Sequence, residues 1–107
     1  MKALLVKPQV TPVEIETDGS LTELQNLVGG YIEAPCLFPD VDIIINEEGK
    51  LMNLPYNRWL SHNGKFIDIL VGNIVIIAHD DEGETIGLTE EQILKYTAIF
   101  NDLIIEI

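Results

Sequence analysis

Residues 46–65 read NEEGKLMNLPYNRWLSHNGK. The front end, Asn46-Glu47-Glu48-Gly49, predicts a hairpin turn, since Asn suits the first turn position and Gly the one that needs positive φ. Lys50–Leu54 then reads as the strand returning from Val41–Ile45, and Pro55 stops it. Asn57–Leu60 fits a short helical turn. Ser61–Lys65 reads as a loop, with Asn63-Gly64 marking a tight turn. The stretch also holds Lys50, Arg58 and Lys65, three of the chain's 6 basic residues. No acidic residue lies between Gly49 and Lys65, although the chain carries 18.

Upstream, Tyr31–Phe38 begins as a strand, and Pro35 places it at an edge or bends it. A helix is predicted over about 20–28. Ser20 is the N-cap, Glu23 completes a capping box, and Leu21, Leu24, Leu27 and Val28 share one face. Gly29 and Gly30 end it. Lys2–Lys7 and Val13–Glu16 read as strands that can form a hairpin across Pro8 and Pro12.

Downstream, Phe66–Ala78 reads as one bent strand or two, with Gly72-Asn73 as a bulge or turn. His79–Gly87 is an acidic loop. A second helix starts at the cap Thr89, with Gln92 closing a capping box and Leu88 and Ile93 forming a hydrophobic staple. Ile93, Tyr96, Thr97 and Phe100 make its inward face. Leu103–Ile107 either ends this helix or adds a short strand. The sum is a single domain over 1–107 of α+β class. Its two amphipathic helices are expected on one face of a mostly antiparallel sheet of five or six strands.

Composition narrows the function. No apolar run approaches the roughly 20 residues of a membrane helix, and the N-terminus is too short for a signal peptide. A cytoplasmic protein is expected, with no membrane partner. The one cysteine, Cys36, lies in an apolar run and is expected to pack. A net charge of −12 repels phosphates, so direct nucleic-acid binding is not expected. Zinc-ligand spacing, phosphate loops and nucleophile motifs are lacking. No cofactor, metal or catalytic set is therefore expected, and the protein reads as a binding protein rather than an enzyme.

Against that acidic background the 46–65 stretch is a basic island. Arg58 offers a planar fork for an anion, Asn57 and Lys50 can assist, and Tyr56 can lie against a flat ring. Gly30 and Tyr31 join as ligand-binding candidates because a glycine pair at a helix end allows close approach to the backbone. Bland roles stand beside these. Asn46, Gly49 and Asn63 are turn residues, Trp59 and Leu60 suit a core, and Arg58 can pair with one of the many acids.

VGGYIE (Val28–Glu33) and NEEGKLMNLPYNR (Asn46–Arg58), with the flanking MKALLVKP, VGNIVI and LTEEQILKY, resemble the family catalogued as domain of unknown function 3846. The chain departs from the family at SHNGKF. The resemblance implies a small stand-alone protein of phages and mobile elements in a bacterial host, with no activity to carry over. The reading favoured is binding, as for sequestration, of a small anionic, nucleotide-like ligand. The alternative is inhibition of a host defence or DNA-handling enzyme by an acidic protein acting through its negative surface. A homodimer through the edge near Pro35 or the tail LIIEI is compatible with either.

Overall fold

A computed structural model describes residues 1–107. Along the chain run β1 (Lys2–Val6), β2 (Val13–Glu16), α1 (Leu21–Val28), β3 (Ile32–Glu33), β4 (Val41–Asn46) and β5 (Tyr56–His62). Then come β6 (Lys65–Val71), β7 (Ile74–His79), β8 (Thr85–Ile86), α2 (Glu90–Phe100) and β9 (Ile104–Glu106). The class is α+β, with two helices and mostly antiparallel strands.

The strands form two sheets. The larger has the order β2-β1-β7-β4-β3, with β8 also pairing β7. The smaller has the order β6-β5-β9. The only parallel pairing is β5 with β9, Trp59 standing opposite Ile104. The expected β1–β2 hairpin is present, with Lys2 opposite Glu16 and Leu5 opposite Val13.

β7 decides the layering. Its sequence, IVIIAH, has no polar residue before His79, which marks a strand covered on both faces. Side chains alternate across a strand, so one face takes Val75 and Ile77 with Ala3 and Ile44, and α1 covers it through Leu24 and Val28. The other face takes Ile74, Ile76 and Ala78 with Leu4, Val6, Val41 and Ile43. There α2 supplies Ile93, Tyr96 and Phe100, and the smaller sheet supplies Leu60, Leu70 and Ile105. The helices therefore lie on opposite faces of the central sheet, not on one. An all-apolar central strand exposes too much hydrocarbon for one-sided cover.

The capping signals hold with one difference. Thr89 and Gln92 form a reciprocal capping box. At α1 the Ser20 side chain accepts from Glu23 N, but the Ser20 N–H donates to Asp18 Oδ1 at 2.8 Å. That box is half closed because Asp18 takes the place Glu23 was expected to fill. Gly29 ends α1 with φ 81°.

Three expectations need correction. Lys50–Leu54 is not a strand. Both edges of β4 are occupied, by β7 and β3, so a returning strand has nowhere to pair. Instead, residues 47–53 coil through turns, with Met52 N donating to Glu48 O and Leu54 N to Gly49 O. Asn57–Leu60 is extended within β5 rather than helical. Cys36 is exposed rather than packed, because Pro35 ends the short β3 region and the chain runs on outside the sheet. Phe66–Ala78 resolves into two strands that belong to different sheets. The switch is Gly72, at φ 72°, where a Cβ would stand 2.7 Å from Leu54 Cδ1. Asn63 and Gly64, both at positive φ, make the two-residue turn between β5 and β6.

Candidate functional site

A regular strand would send Asn57 and Arg58 to opposite faces. The pairing of β5 with β6 slips between Tyr56 and Arg58, and this bulge turns both side chains inward. Arg58 is 1% exposed and Asn57 0%. A guanidinium has five N–H donors, and all are spent inside the protein. Nε donates to Phe100 O at 2.9 Å, and Nη2 donates to Phe100 O and Val10 O. Nη1 donates to Asn57 O and to Asn57 Oδ1. Asn57 is equally committed. Its Nδ2 donates to Val6 O and Gly72 O, while its Oδ1 also accepts from Gln9 N.

The arrangement is electrostatically sensible. Phe100 is the last residue of α2, so its carbonyl sits at the negative end of the helix dipole, where a cation is favoured. Burial lowers the Arg58 pKa from its ordinary value, and the negative charge of Asp102 opposes that. No carboxylate pairs with Arg58 directly; carbonyls do the work expected of an acid. Asn57 and Arg58 thus tie the turn after β1, the Gly72 switch and the end of α2 together. Neither offers a donor to a ligand, in contrast to the role expected from sequence.

The other candidates lie apart from these two. Lys50 pairs with Asp68, and that bond holds the Asp68 carboxyl below the usual carboxylate range despite some burial. Tyr56 is 59% exposed and meets Trp59 edge-on, ring centres 6.1 Å apart. Gly30 and Tyr31 line a hollow of about 470 Å³ at the end of α1, with Gln25, Asn46, Glu48 and Met52 among its walls. Buried Asn46 braces this hollow, donating to Val28 O and accepting from Glu48 N. Its lining does not favour an anion, since it includes the carboxylate residue Glu48 and no cation.

A second region stands out once cations are accounted for. Lys2 pairs with Glu90, Lys50 with Asp68 and Lys95 with Asp40, while Arg58 is interior. The surface is left strongly acidic, including around a depression of about 590 Å³ between the start of β4, the 80–84 loop and the start of α2. Pro39, Asp40, His79, Asp80, Asp81 and Gln92 line it, with no hydrophobic side chain. Asp80 folds back to accept from Glu82 N and Glu84 N at 2.9 Å. That fixes the loop and leaves Asp81, Glu82 and Glu84 exposed.

Asp40 is held from behind by Tyr96 Oη and Gln92 Nε2. Burial alone would raise its pKa, but these hydrogen bonds and Lys95 outweigh that and lower it. The same contact, added to burial, pushes the Tyr96 hydroxyl up. His79 Nδ1 lies 3.1 Å from Asp42 Oδ1. No group of three or more His, Cys, Asp or Glu side chains is placed to hold a metal ion. The acidic loop expected over His79–Gly87 is shorter in the structure, since His79 ends β7 and Thr85–Ile86 form β8. Its signal was the run of carboxylates, but the convergence with Asp40 and Gln92 depends on tertiary folding.

What emerges is a small acidic α+β domain. The chain belongs to the family described as Domain of unknown function (DUF3846), whose profile matches residues 1–101. No curated protein and no solved structure matches it. No helix is long and apolar enough to cross a membrane.

Proposed function

We propose that the protein is a binding module for the basic face of another protein. One observation carries this reading: its only arginine is consumed in the interior and three of its lysines are paired, so its carboxylates face solvent largely uncompensated. Opposite charge steers such a surface toward a cationic partner and away from nucleic acid. In the phage-type setting that the family resemblance implies, the partner is a bacterial defence or DNA-handling enzyme met in the cytoplasm. The protein then acts by occupying the site that would take DNA. The small anionic ligand that the sequence favoured lacks its anchor, since Arg58 has no free donor.

The test is a titration of the protein into a panel of purified nucleases and other DNA-handling enzymes with basic clefts, read as inhibition of DNA cleavage or binding. Inhibition at low salt that fades toward about 0.5 M salt supports the reading, since exposed charges are screened beyond a few ångströms there. The triple variant D81N/E82Q/E84Q should weaken it. Absence of inhibition across the panel, together with a melting-point rise in the presence of nucleotides, overturns it.

A further inference from the structure

The outer face of the smaller sheet is apolar and uncovered. Leu60 and Ile105, which stand opposite each other, point into the core. Their neighbours Trp59 and Ile104, also a register pair, therefore point outward. With Phe66, Leu103, Ser61 and Gly64 they line a groove of about 560 Å³. Phe66 is 65% exposed and Ile104 60% exposed, and exposed Tyr56 extends the aromatic surface beside Trp59. Grouped hydrocarbon of this kind on a chain of net charge −12 is the usual mark of an interface.

The rim says what covers it. Asp102 and Glu106 flank the lining residues and are exposed, against one rim cation, Lys65, between Gly64 and Phe66. Asp102 accepts from Ile104 N, and Glu106 accepts from Ser61 Oγ and Gly64 N, so both are fixed in place with lone pairs still facing solvent. Hydrogen bonding from Ser61 and the turn amides holds Glu106 below the usual carboxylate range, and it is ionised at neutral pH. A second copy would bring two strongly negative surfaces together. Charge complementarity selects a cationic occupant instead.

We infer that this groove docks a protein segment carrying a bulky apolar anchor flanked by Arg or Lys, with the anchor against Trp59 and Ile104 and the cations at Asp102 and Glu106. The inference rests on the basic-partner reading and adds to the acidic 81–84 loop a second contact, with its own recognition rule.

Trp59 is the chain's single tryptophan, so its emission reports on the groove directly. Three tryptophan-free peptides, RRLFRR, RRSSRR and EELFEE, are titrated into the full chain, with fluorescence and calorimetry read in parallel. RRLFRR should bind with a saturable blue shift of Trp59 emission, and the other two should leave the emission unchanged. Ile104→Ser, at an exposed position, should keep the native circular dichroism spectrum and weaken RRLFRR about tenfold. D102N/E106Q should weaken it and flatten its salt dependence. If RRSSRR and RRLFRR bind equally and neither moves the emission, the groove proposal falls while the basic-partner reading stands. If no cationic peptide binds in either measurement, both fall. A blue shift that grows with protein concentration alone makes the face a self-association surface and overturns the proposal.

Discussion

Replacing Arg58 by alanine should unfold more than it unbinds. The side chain is 1% exposed and gives hydrogen bonds to Phe100 O, Val10 O, Asn57 O and Asn57 Oδ1. Hydrogen bonds from a charged donor contribute roughly 1.5–3 kcal/mol each, and a stranded buried acceptor costs about 1–3 kcal/mol. These terms are not additive. Burying an arginine without a carboxylate also carries a desolvation cost that the substitution removes. Counting only the two bonds to the buried Phe100 carbonyl, since Val10 is 51% exposed and water can replace its bond, Arg58→Ala should cost about 4 kcal/mol. That is a large part of the roughly 5–15 kcal/mol that holds a typical domain folded. It corresponds to a melting point lower by about 15 °C for a chain of this size. Arg58→Lys retains the charge but replaces a planar fork with a point, and should recover less than half of the loss. Urea denaturation with a constant slope gives the energies. A loss below about 1 kcal/mol would refute the argument, because it would mean that the two donors on Phe100 O are not holding the end of α2.

Three further outcomes follow from the same contacts. Asn57→Ala should cost about 3 kcal/mol, and with Arg58→Ala should fall short of the sum by at least about 1 kcal/mol, because the two share the Nη1–Oδ1 bond; additive costs in a double-mutant cycle would separate them. Gly72→Ala should cost at least about 1 kcal/mol more than Gly64→Ala. Both glycines sit at positive φ, but only at Gly72 does a Cβ meet Leu54, at 2.7 Å, while at Gly64 it meets open space; equal thermal shifts would count against the tight switch. The Asp40 pKa is lowered on folding, so its contribution is present above the unfolded value near 4 and is lost as pH falls through the folded value. Melting curves between neutral pH and about pH 2 should therefore show a shallower acid loss for Asp40→Asn than for the natural chain.

Much of the secondary structure was legible because its signals are local. Ser20, Gly29, Thr89 and Gln92 cap helices using residues within one turn, and Asn63-Gly64 makes its own hairpin. Failures came where a partner strand decides the outcome. NEEGK carries a hairpin signature, yet β4 already has a neighbour on each edge, so the chain coils through turns and joins another sheet. Arg58 was picked out by residue type, and residue type cannot distinguish an arginine facing a ligand from one facing a helix end. The bulge that turns Arg58 inward leaves no mark in NRW. The opposite placement of the helices, by contrast, was written in IVIIA, a strand with no polar side to spare for water.

The central position of β7 also sets an order of events during synthesis. β1 and β4 never pair with each other; each pairs with β7. Until residues 74–79 have emerged from the ribosome, the nascent chain holds only disconnected pieces: the β1–β2 hairpin, the β3–β4 pair and the β5–β6 hairpin. Their apolar faces wait for a strand made in the last third of translation. A ribosome stalled before Ile74 would leave the β7-facing edges of β1 and β4 unpaired together, the kind of exposed strand edge that invites aggregation.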